Sequence, residues 1–146
     1  ILMAEIFPDE GLDFLLGVIP KGGANPATLY VGLFTSATDA TVPAGSAVLA
    51  TATGVTEASG GGYARQSVAA AAWAAQSAGA GTGRKTVGPQ VTFTATGALG
   101  PINGFFIASA STAGVAIFYA NFDDGTAVTL QNGDSLRVTP TWQMNP

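Results

Sequence analysis

The chain joins an ordinary length to a low charge: it has 146 residues and a formal net charge of −4, and 10% of its residues are charged, against roughly 25% in an average soluble domain. Histidine and cysteine are both absent, which removes the commonest general base, disulfide bonds and imidazole or thiolate metal ligands. Phosphate binding needs clustered positive charge, and a membrane-spanning helix needs roughly 18 apolar residues in a row. The sequence has neither, so we expect no nucleic-acid partner and no membrane partner. With histidine and cysteine absent, we also expect no cofactor and no enzymatic activity.

The N-terminal segment carries the clearest helix signal in the chain. Pro8 and Asp9 suit the start of a helix, and Pro20 suits its end. Between them runs an apolar stripe at helical spacing, made of Leu12, Leu15, Leu16 and Ile19. This pattern predicts a helix over residues 9–19. We expect residues 1–26 to form an arm that contacts other subunits, through Phe7, Leu12, Phe14, Leu15 and Leu16; the alternative is a helix that packs only on its own domain.

The next part of the chain changes to the period-two pattern of β-strands. Residues 29–36 are apolar on both faces, which predicts a central strand. Residues 37–45 read as a loop and residues 48–55 as a weak strand. The triple glycine at 60–62 predicts a sharp turn, and a strand follows over residues 63–73. The stretch 78–83 is a loop of small residues.

The second half of the chain has the strongest alternation. It predicts strands over residues 84–96, 102–109, 115–121, 126–130 and 135–144, with turns at 97–101, 111–114, Asp123–Gly125 and Asn132–Gly133. Turn signals about 8–12 residues apart are typical of an antiparallel sandwich or barrel. We therefore predict one domain over residues 1–146, an all-β, jelly-roll-like antiparallel β-sandwich of about eight strands with one short N-terminal helix.

Few residues are candidates for catalysis, phosphate binding or metal binding. The glycine-rich stretch 79–86 lacks the spacing of a phosphate loop, because Arg84 separates Gly83 from Lys85. Adjacent carboxylates at Asp123 and Asp124 permit a calcium site, but a plain turn is the simpler interpretation. A serine nucleophile would need Lys21 or Lys85 as its base, and both lie in predicted loops. We therefore predict no catalytic residue and no metal ligand.

Two sets of side chains are candidates for binding rather than catalysis. Arg65 and Arg137 lie inside strand patterns, where each either faces solvent or pairs with an acid or a partner carbonyl; Arg65 is our candidate interface residue. Four aromatic residues, Tyr63, Trp73, Tyr119 and Trp142, are candidates for stacking on sugars. Aromatic residues in strands belong more often to the core or to an interface.

Six motifs follow one another along the chain: Leu29–Thr35, Gly60–Gln66, Trp73, Val87–Phe93, Gly104–Ala108 and Asn132–Val138. In this order, from about Met3 to Met144, they resemble a group of small virion proteins of tailed bacteriophages, most of all capsid cement or decoration proteins. The resemblance implies a structural β-protein that sits on the capsid surface of the virion, is assembled in the host cytoplasm and has no catalytic residues.

The main hypothesis is therefore a cement protein that binds and stabilises the major capsid shell. Its expected partners are the major capsid protein and copies of itself, as a dimer or a trimer. The sparse charge agrees with this hypothesis, because contact surfaces are depleted of lysine and glutamate. The alternative is a tail or fibre-associated β-module that binds host-surface glycans.

Overall fold

The computed structural model describes residues 5–35, 47–79, 83–122 and 126–144. Within them one α-helix, α1 (Asp9–Val18), follows the first strand, and a single 3-10 turn spans Ala70–Ala72. The strands are β1 (Glu5–Ile6), β2 (Thr28–Phe34), β3 (Gln66–Ala69), β4 (Ser77–Ala78), β5 (Arg84–Val87), β6 (Val91–Thr94), β7 (Leu99–Ile102), β8 (Gly104–Ala108), β9 (Ala116–Asn121), β10 (Val128–Leu130), β11 (Ser135–Val138) and β12 (Thr141–Met144).

A five-stranded sheet in the order β1-β9-β8-β2-β3 forms one layer. Every pair in it is antiparallel, and β2 pairs with β8 from Tyr30↔Ala108 to Phe34↔Gly104. Alternate residues of β2 face opposite ways: Val31 and Leu33 belong to one apolar cluster, and Phe34 belongs to another. The sheet is therefore covered on both faces, which explains why β2 reads as apolar throughout.

Smaller antiparallel sheets, β10-β7, β11-β6 and β12-β5-β4, contribute the other half of the larger core. In β6 the residues Val91 and Phe93 are buried while Thr92 and Thr94 are exposed, as the alternation predicts. Phe93 and Leu99 from this layer share the core with Phe105 of the five-stranded sheet. The two layers make a β-sandwich.

The opposite face of the five-stranded sheet is covered by loops. Leu49 and Val55 from the segment after β2 pack there with Phe34, Phe106 and Tyr119, all of them buried. Phe106 occupies the space that a Cβ at position 32 would need, since that atom would come within 2.2 Å of the ring. Glycine at position 32 is thus required by the packing of this second cluster.

Helix α1 lies against β9 at a β-bulge. Ile107 pairs with Phe118 and Ala108 with Ala116, which leaves Ile117 as an extra residue in β9. A Cβ on Gly11 would come within 2.4 Å of the Ile117 carbonyl oxygen, so the helix backbone approaches the strand directly. One carboxylate oxygen of Glu10 accepts hydrogen bonds from the backbone N–H groups of Leu49 and Ala116.

The predicted fold class is confirmed: the described residues form an all-β antiparallel sandwich with one short helix, and the short strands are more numerous than the eight predicted. The helix and the central position of β2 also agree with prediction. Several boundaries differ. The predicted strand 84–96 is divided into β5 and β6, and the predicted strand 63–73 is strand only over β3, with the 3-10 turn after it. Residues 48–55 hold one isolated bridge, Val48↔Thr53; the predicted turn at 97–101 is largely strand β7; and the predicted strand 135–144 is divided around the buried Pro140. The predicted turn Asp123–Gly125, with its possible calcium site, and the whole loop 37–45 lie outside the described residues.

Candidate interaction surface

The outward face of α1 carries three exposed aliphatic side chains. Leu12 is 44% exposed, Leu16 58% and Ile19 76%; we call these three residues the ridge. The helix faces this way because Gly11, its one buried residue, meets β9, while Phe14, Leu15 and Val18 are half-buried beside it. Most of the apolar stripe that predicted the helix thus points to solvent, which is unusual for an amphipathic helix.

A groove of about 440 Å³ runs beside the ridge. Phe14, Leu15, Val18 and Ile19 of the helix segment line one side of it. The rest of its lining comes from Asn25, Pro26, Leu29, Ala70, Trp73, Ala74, Ala75, Gln76, Thr86, Ile117 and Trp142. None of these lining residues is charged, so the groove suits an apolar or neutral occupant.

Two tryptophans border the groove and are fixed by the core. The Trp142 ring stacks on Phe118 at 6.2 Å between ring centroids and lies 5.7 Å from Phe7. The Trp73 ring packs beside Gly88, where a Cβ would come within 3.2 Å of it. The indole N–H groups of both tryptophans are buried and, among the described residues, have no hydrogen-bond acceptor.

A polar cluster made of Glu57, Tyr63 and Arg65 has a different character; we call it the arginine cluster. Arg65 donates from Nε and Nη2 to the two carboxylate oxygens of Glu57, each at 2.7 Å. Its Nη1 donates to the carbonyl oxygens of Ala110 and Ala113 at 2.6 and 2.8 Å. The guanidinium also lies 5.1 Å from the Phe106 ring centroid, a cation–π distance.

Tyr63 completes the arginine cluster. Its hydroxyl donates to Glu57 at 2.8 Å and accepts from the backbone N–H of Leu33 at 3.0 Å. Burial, together with the Glu57 charge, raises the pKa of Tyr63 far above its ordinary value. Burial opposes the charge of Arg65, but the hydrogen bonds and charge of Glu57 outweigh it and raise the Arg65 pKa. Tyr63 therefore stays neutral and Arg65 stays charged across the physiological range. The hydrogen bonds of the cluster tie two loops to the sheet.

The predicted interface residues fall in three places. Leu12 and Leu16 lie on the ridge, and Phe14 and Leu15 line the groove. Phe7 packs against Phe118 in the core, at 5.4 Å between ring centroids. Arg65 lies apart from these, in the arginine cluster, where its side chain is 3% exposed. Their role at an interface stays a prediction.

The four aromatic candidates for sugar stacking also separate. Tyr119 has no exposed surface, and burial raises its pKa above the ordinary value. Tyr63 stacks on Phe93 at 6.0 Å and is held by its hydrogen bonds. Trp73 and Trp142 alone of the four border the groove, so this prediction now depends on them.

The structure adds two features that no local sequence pattern predicted. They are the exposure of Ile19 and the hydrogen bond from Ala116 to Glu10, and both follow from the close approach of Gly11 to β9. The one sequence signal for this approach is a glycine inside an apolar helix pattern.

Within the described ranges, no three acidic residues gather as metal ligands would. No helix in the described part of the chain is long and apolar enough to cross a membrane.

Comparison with known protein families finds a match over most of the chain. A family model described as Podophage GP4 fiber I protein gp80 matches residues 15–142. No curated protein and no solved structure matches the chain. The matched range begins inside α1 and ends at Trp142, so it includes the arginine cluster and all of the groove lining except Phe14.

Proposed function

Because the chain belongs to the family described as Podophage GP4 fiber I protein gp80, and is therefore a structural protein of a bacteriophage virion, we propose that it is a β-module of the phage fibre. The observation that carries the proposal is the family match over most of the chain. The family description names a fibre and not a capsid shell, so it favours the fibre alternative over the capsid-cement hypothesis.

The surface of the molecule supports a role in assembly. A ridge of three exposed aliphatic residues adjoins a groove with no charged lining residue. Contiguous apolar surface of this kind on a folded protein marks contact with a partner. Such a surface is unfavourable in a free monomer in water, but it suits a subunit that stays bound to its neighbours in a particle.

The proposal assigns the chain a mechanical role, with no catalysis, no cofactor and no contact with nucleic acid. The sheet interior, together with the hydrogen bonds from Leu49 and Ala116 to Glu10, gives a rigid body that holds the ridge in a fixed position. In a fibre, such a body transmits load between its neighbours through the backbone ladders of the five-stranded sheet.

Host-glycan binding is a finer form of the fibre hypothesis and stays a prediction. Its remaining support is the position of Trp73 and Trp142 beside a neutral groove. A glycan array probed with the purified chain, and with Trp142→Ala as the matched variant, tests it. Binding that disappears in Trp142→Ala would support glycan recognition, and an array without hits would remove it.

The location of the chain in the particle tests the proposal itself. Virions carrying a short tag on this chain would be imaged by electron cryo-microscopy with a tag-specific antibody fragment. We expect the extra density on the fibres. Density over the capsid shell would restore the cement hypothesis, and its absence from the particle would overturn a virion role.

A further inference from the structure

We propose that Asn132 is a site of spontaneous deamidation, at which the turn between β10 and β11 converts a neutral amide to a carboxylate without an enzyme. This inference goes beyond the proposed function and does not rest on it. The sequence contains two Asn–Gly pairs, Asn103–Gly104 and Asn132–Gly133. The structure places these two pairs in opposite surroundings, so that one is open to the reaction and the other is not.

The reaction needs only the chain and water. The backbone nitrogen of Gly133 loses its proton to solvent and attacks the side-chain Cγ of Asn132; a C–N bond forms, and the side-chain nitrogen leaves as ammonia. Water then opens the resulting cyclic succinimide at one of its carbonyl carbons, which gives aspartate or isoaspartate. A glycine after the asparagine favours the attack, because it has no Cβ to hinder its nitrogen. The product is heavier by the mass difference between water and ammonia.

Asn132 lies where this reaction has room. It is exposed, in a turn that is closed by a hydrogen bond of 3.0 Å from the Asp134 N–H to the Gln131 carbonyl. Gly133 has a φ of 90°, in the region that favours glycine, and a Cβ placed on it would meet nothing within 4 Å. The Asn132 amide is therefore open to water, and the space around Gly133 allows the ring to close.

Asn103 begins the same dipeptide in a closed position. Only 5% of Asn103 is exposed. Its N–H donates to the Phe34 carbonyl, and its carbonyl accepts from the Phe122 N–H. Gly104 begins β8 inside the five-stranded sheet, where a Cβ on it would collide with the Ala120 carbonyl oxygen. Ring closure there requires the sheet to open, so we expect no reaction at Asn103 while the domain is folded.

One hydrogen bond slows the reaction at Asn132 without preventing it. The Gly133 N–H donates to the Ala95 carbonyl at 2.8 Å, and the nitrogen can attack only while that bond is open. The bond lies just beyond the last residue pair of the β6–β11 ladder, so fraying of the ladder end is enough to open it. Local opening of this kind costs much less free energy than unfolding of the domain. The rate at Asn132 should therefore lie between that of an unfolded chain and that of Asn103.

The experiment follows the purified full chain during incubation at mildly alkaline pH, in native buffer and in denaturing urea. Peptide mapping by liquid chromatography and mass spectrometry measures the modified fraction at Asn132 and at Asn103 separately. In native buffer we expect Asn132 to react at least about tenfold faster than Asn103, because only Asn103 requires unfolding of the domain. In urea the two sites should react at similar rates, since each is then an Asn–Gly pair in an unfolded chain.

Two variants assign the change to this residue. Asn132→Gln keeps a neutral amide at the exposed position but would have to close a larger ring, so it should gain neither mass nor charge during the incubation and should keep the Tm of the parent chain. Asn132→Asp has the charge of the product. On ion exchange the incubated parent chain should acquire a species that elutes with Asn132→Asp, one charge more negative than the −4 of the unmodified chain.

Three outcomes would overturn the proposal. They are equal rates at the two sites in native buffer, a reaction at Asn132 in urea with none in native buffer over the same period, and a charge shift that persists in Asn132→Gln. None of these outcomes bears on where the chain lies in the virion, so the two proposals are tested separately.

Discussion

The arginine cluster and the surface beside α1 differ in how their polar groups are paired. In the cluster, Arg65 and Tyr63 form hydrogen bonds with both carboxylate oxygens of Glu57 and with three backbone groups. The ridge and groove instead present apolar surface, and two buried indole N–H groups there have no acceptor among the described residues. Both regions lie on a molecule with few charges. The contrast shows where those charges are used. The ion pair of Arg65 and Glu57 fixes loops to the sheet, whereas the lining of the groove beside α1 carries no charge.

The first test of this comparison removes the arginine cluster. Arg65→Ala leaves Glu57, whose side chain is 28% exposed, without its cation and frees the carbonyls of Ala110 and Ala113. We expect a loss of roughly 3 kcal/mol in unfolding free energy, at the low end for a broken buried pair because Glu57 keeps some water. Urea unfolding measures it, with exposed Arg137→Ala as the control that should change stability by less than about 0.5 kcal/mol. An equal loss of unfolding free energy in both variants would show that the arginine cluster does not stabilise the fold.

The second test compares two glycines of the same helix. Gly11→Ala forces α1 away from the Ile117 carbonyl and should cost about 1–3 kcal/mol, the range for overpacking. Gly17→Ala meets nothing within 4 Å, so its gain in helix propensity should raise stability by up to about 1 kcal/mol. Thermal unfolding of the two variants should therefore shift in opposite directions. A stabilised Gly11→Ala variant would mean that the helix does not seat on β9 as described.

The third test uses alkaline pH. The pKa values of Tyr63 and Tyr119 are raised in the folded state, while an unfolded tyrosine ionises near pH 10. Stability from these groups is therefore complete below pH 10 and falls above it, because the unfolded chain loses protons first. For each tyrosine the slope should rise from near zero below pH 9 toward about 1.4 kcal/mol per pH unit well above pH 10.

Single phenylalanine substitutions assign that slope to residues. Tyr63→Phe and Tyr119→Phe should each remove half of it, as measured by urea unfolding between pH 9 and 11. At neutral pH the first variant should lose about 1 kcal/mol, because it breaks two hydrogen bonds. The second should lose little, since the buried Tyr119 hydroxyl has no partner among the described residues. A slope unchanged by both substitutions would contradict the burial of these hydroxyl groups.

The fourth test concerns the ridge and has the smallest expected effect. Leu12→Gln and Leu16→Gln should change the stability of the dilute monomer by less than about 0.5 kcal/mol, because both side chains are already exposed. Leu33→Ala, at a fully buried position, should cost about 2–5 kcal/mol in the same urea titration. A large loss in the ridge variants would show that these leucines stabilise the chain's own fold.

Much of the fold was predictable, because local pattern and local packing agree there. Pro8 and Pro20 mark the helix, and the double apolar face of β2 requires cover on both sides. The alternation of Val91 and Phe93 with threonines gives one buried face directly. These elements depend on residues close together in the sequence.

The candidate surface was less predictable, because it depends on contacts between distant residues. The period of the apolar stripe predicts a helix but not which face meets the sheet, and Gly11 decides that by allowing a backbone contact at Ile117. Arg65 could be expected to pair, but its use of the Ala110 and Ala113 carbonyls depends on a loop some 45 residues away. The groove likewise combines residues from 14–29, 70–76, 86, 117 and 142, which no local pattern relates.

The bulge at Ile117 also has a consequence for the order in which the chain can fold. Glu10 accepts a hydrogen bond from the backbone N–H of Ala116, 106 residues away in the sequence. Helix α1 therefore cannot dock until β9 has been synthesised and paired. Contacts between such distant residues slow folding, because the loop must close before they contribute. Until then the helix segment lies unpacked, and β12, which follows β9 in the chain, later brings Trp142 against Phe7.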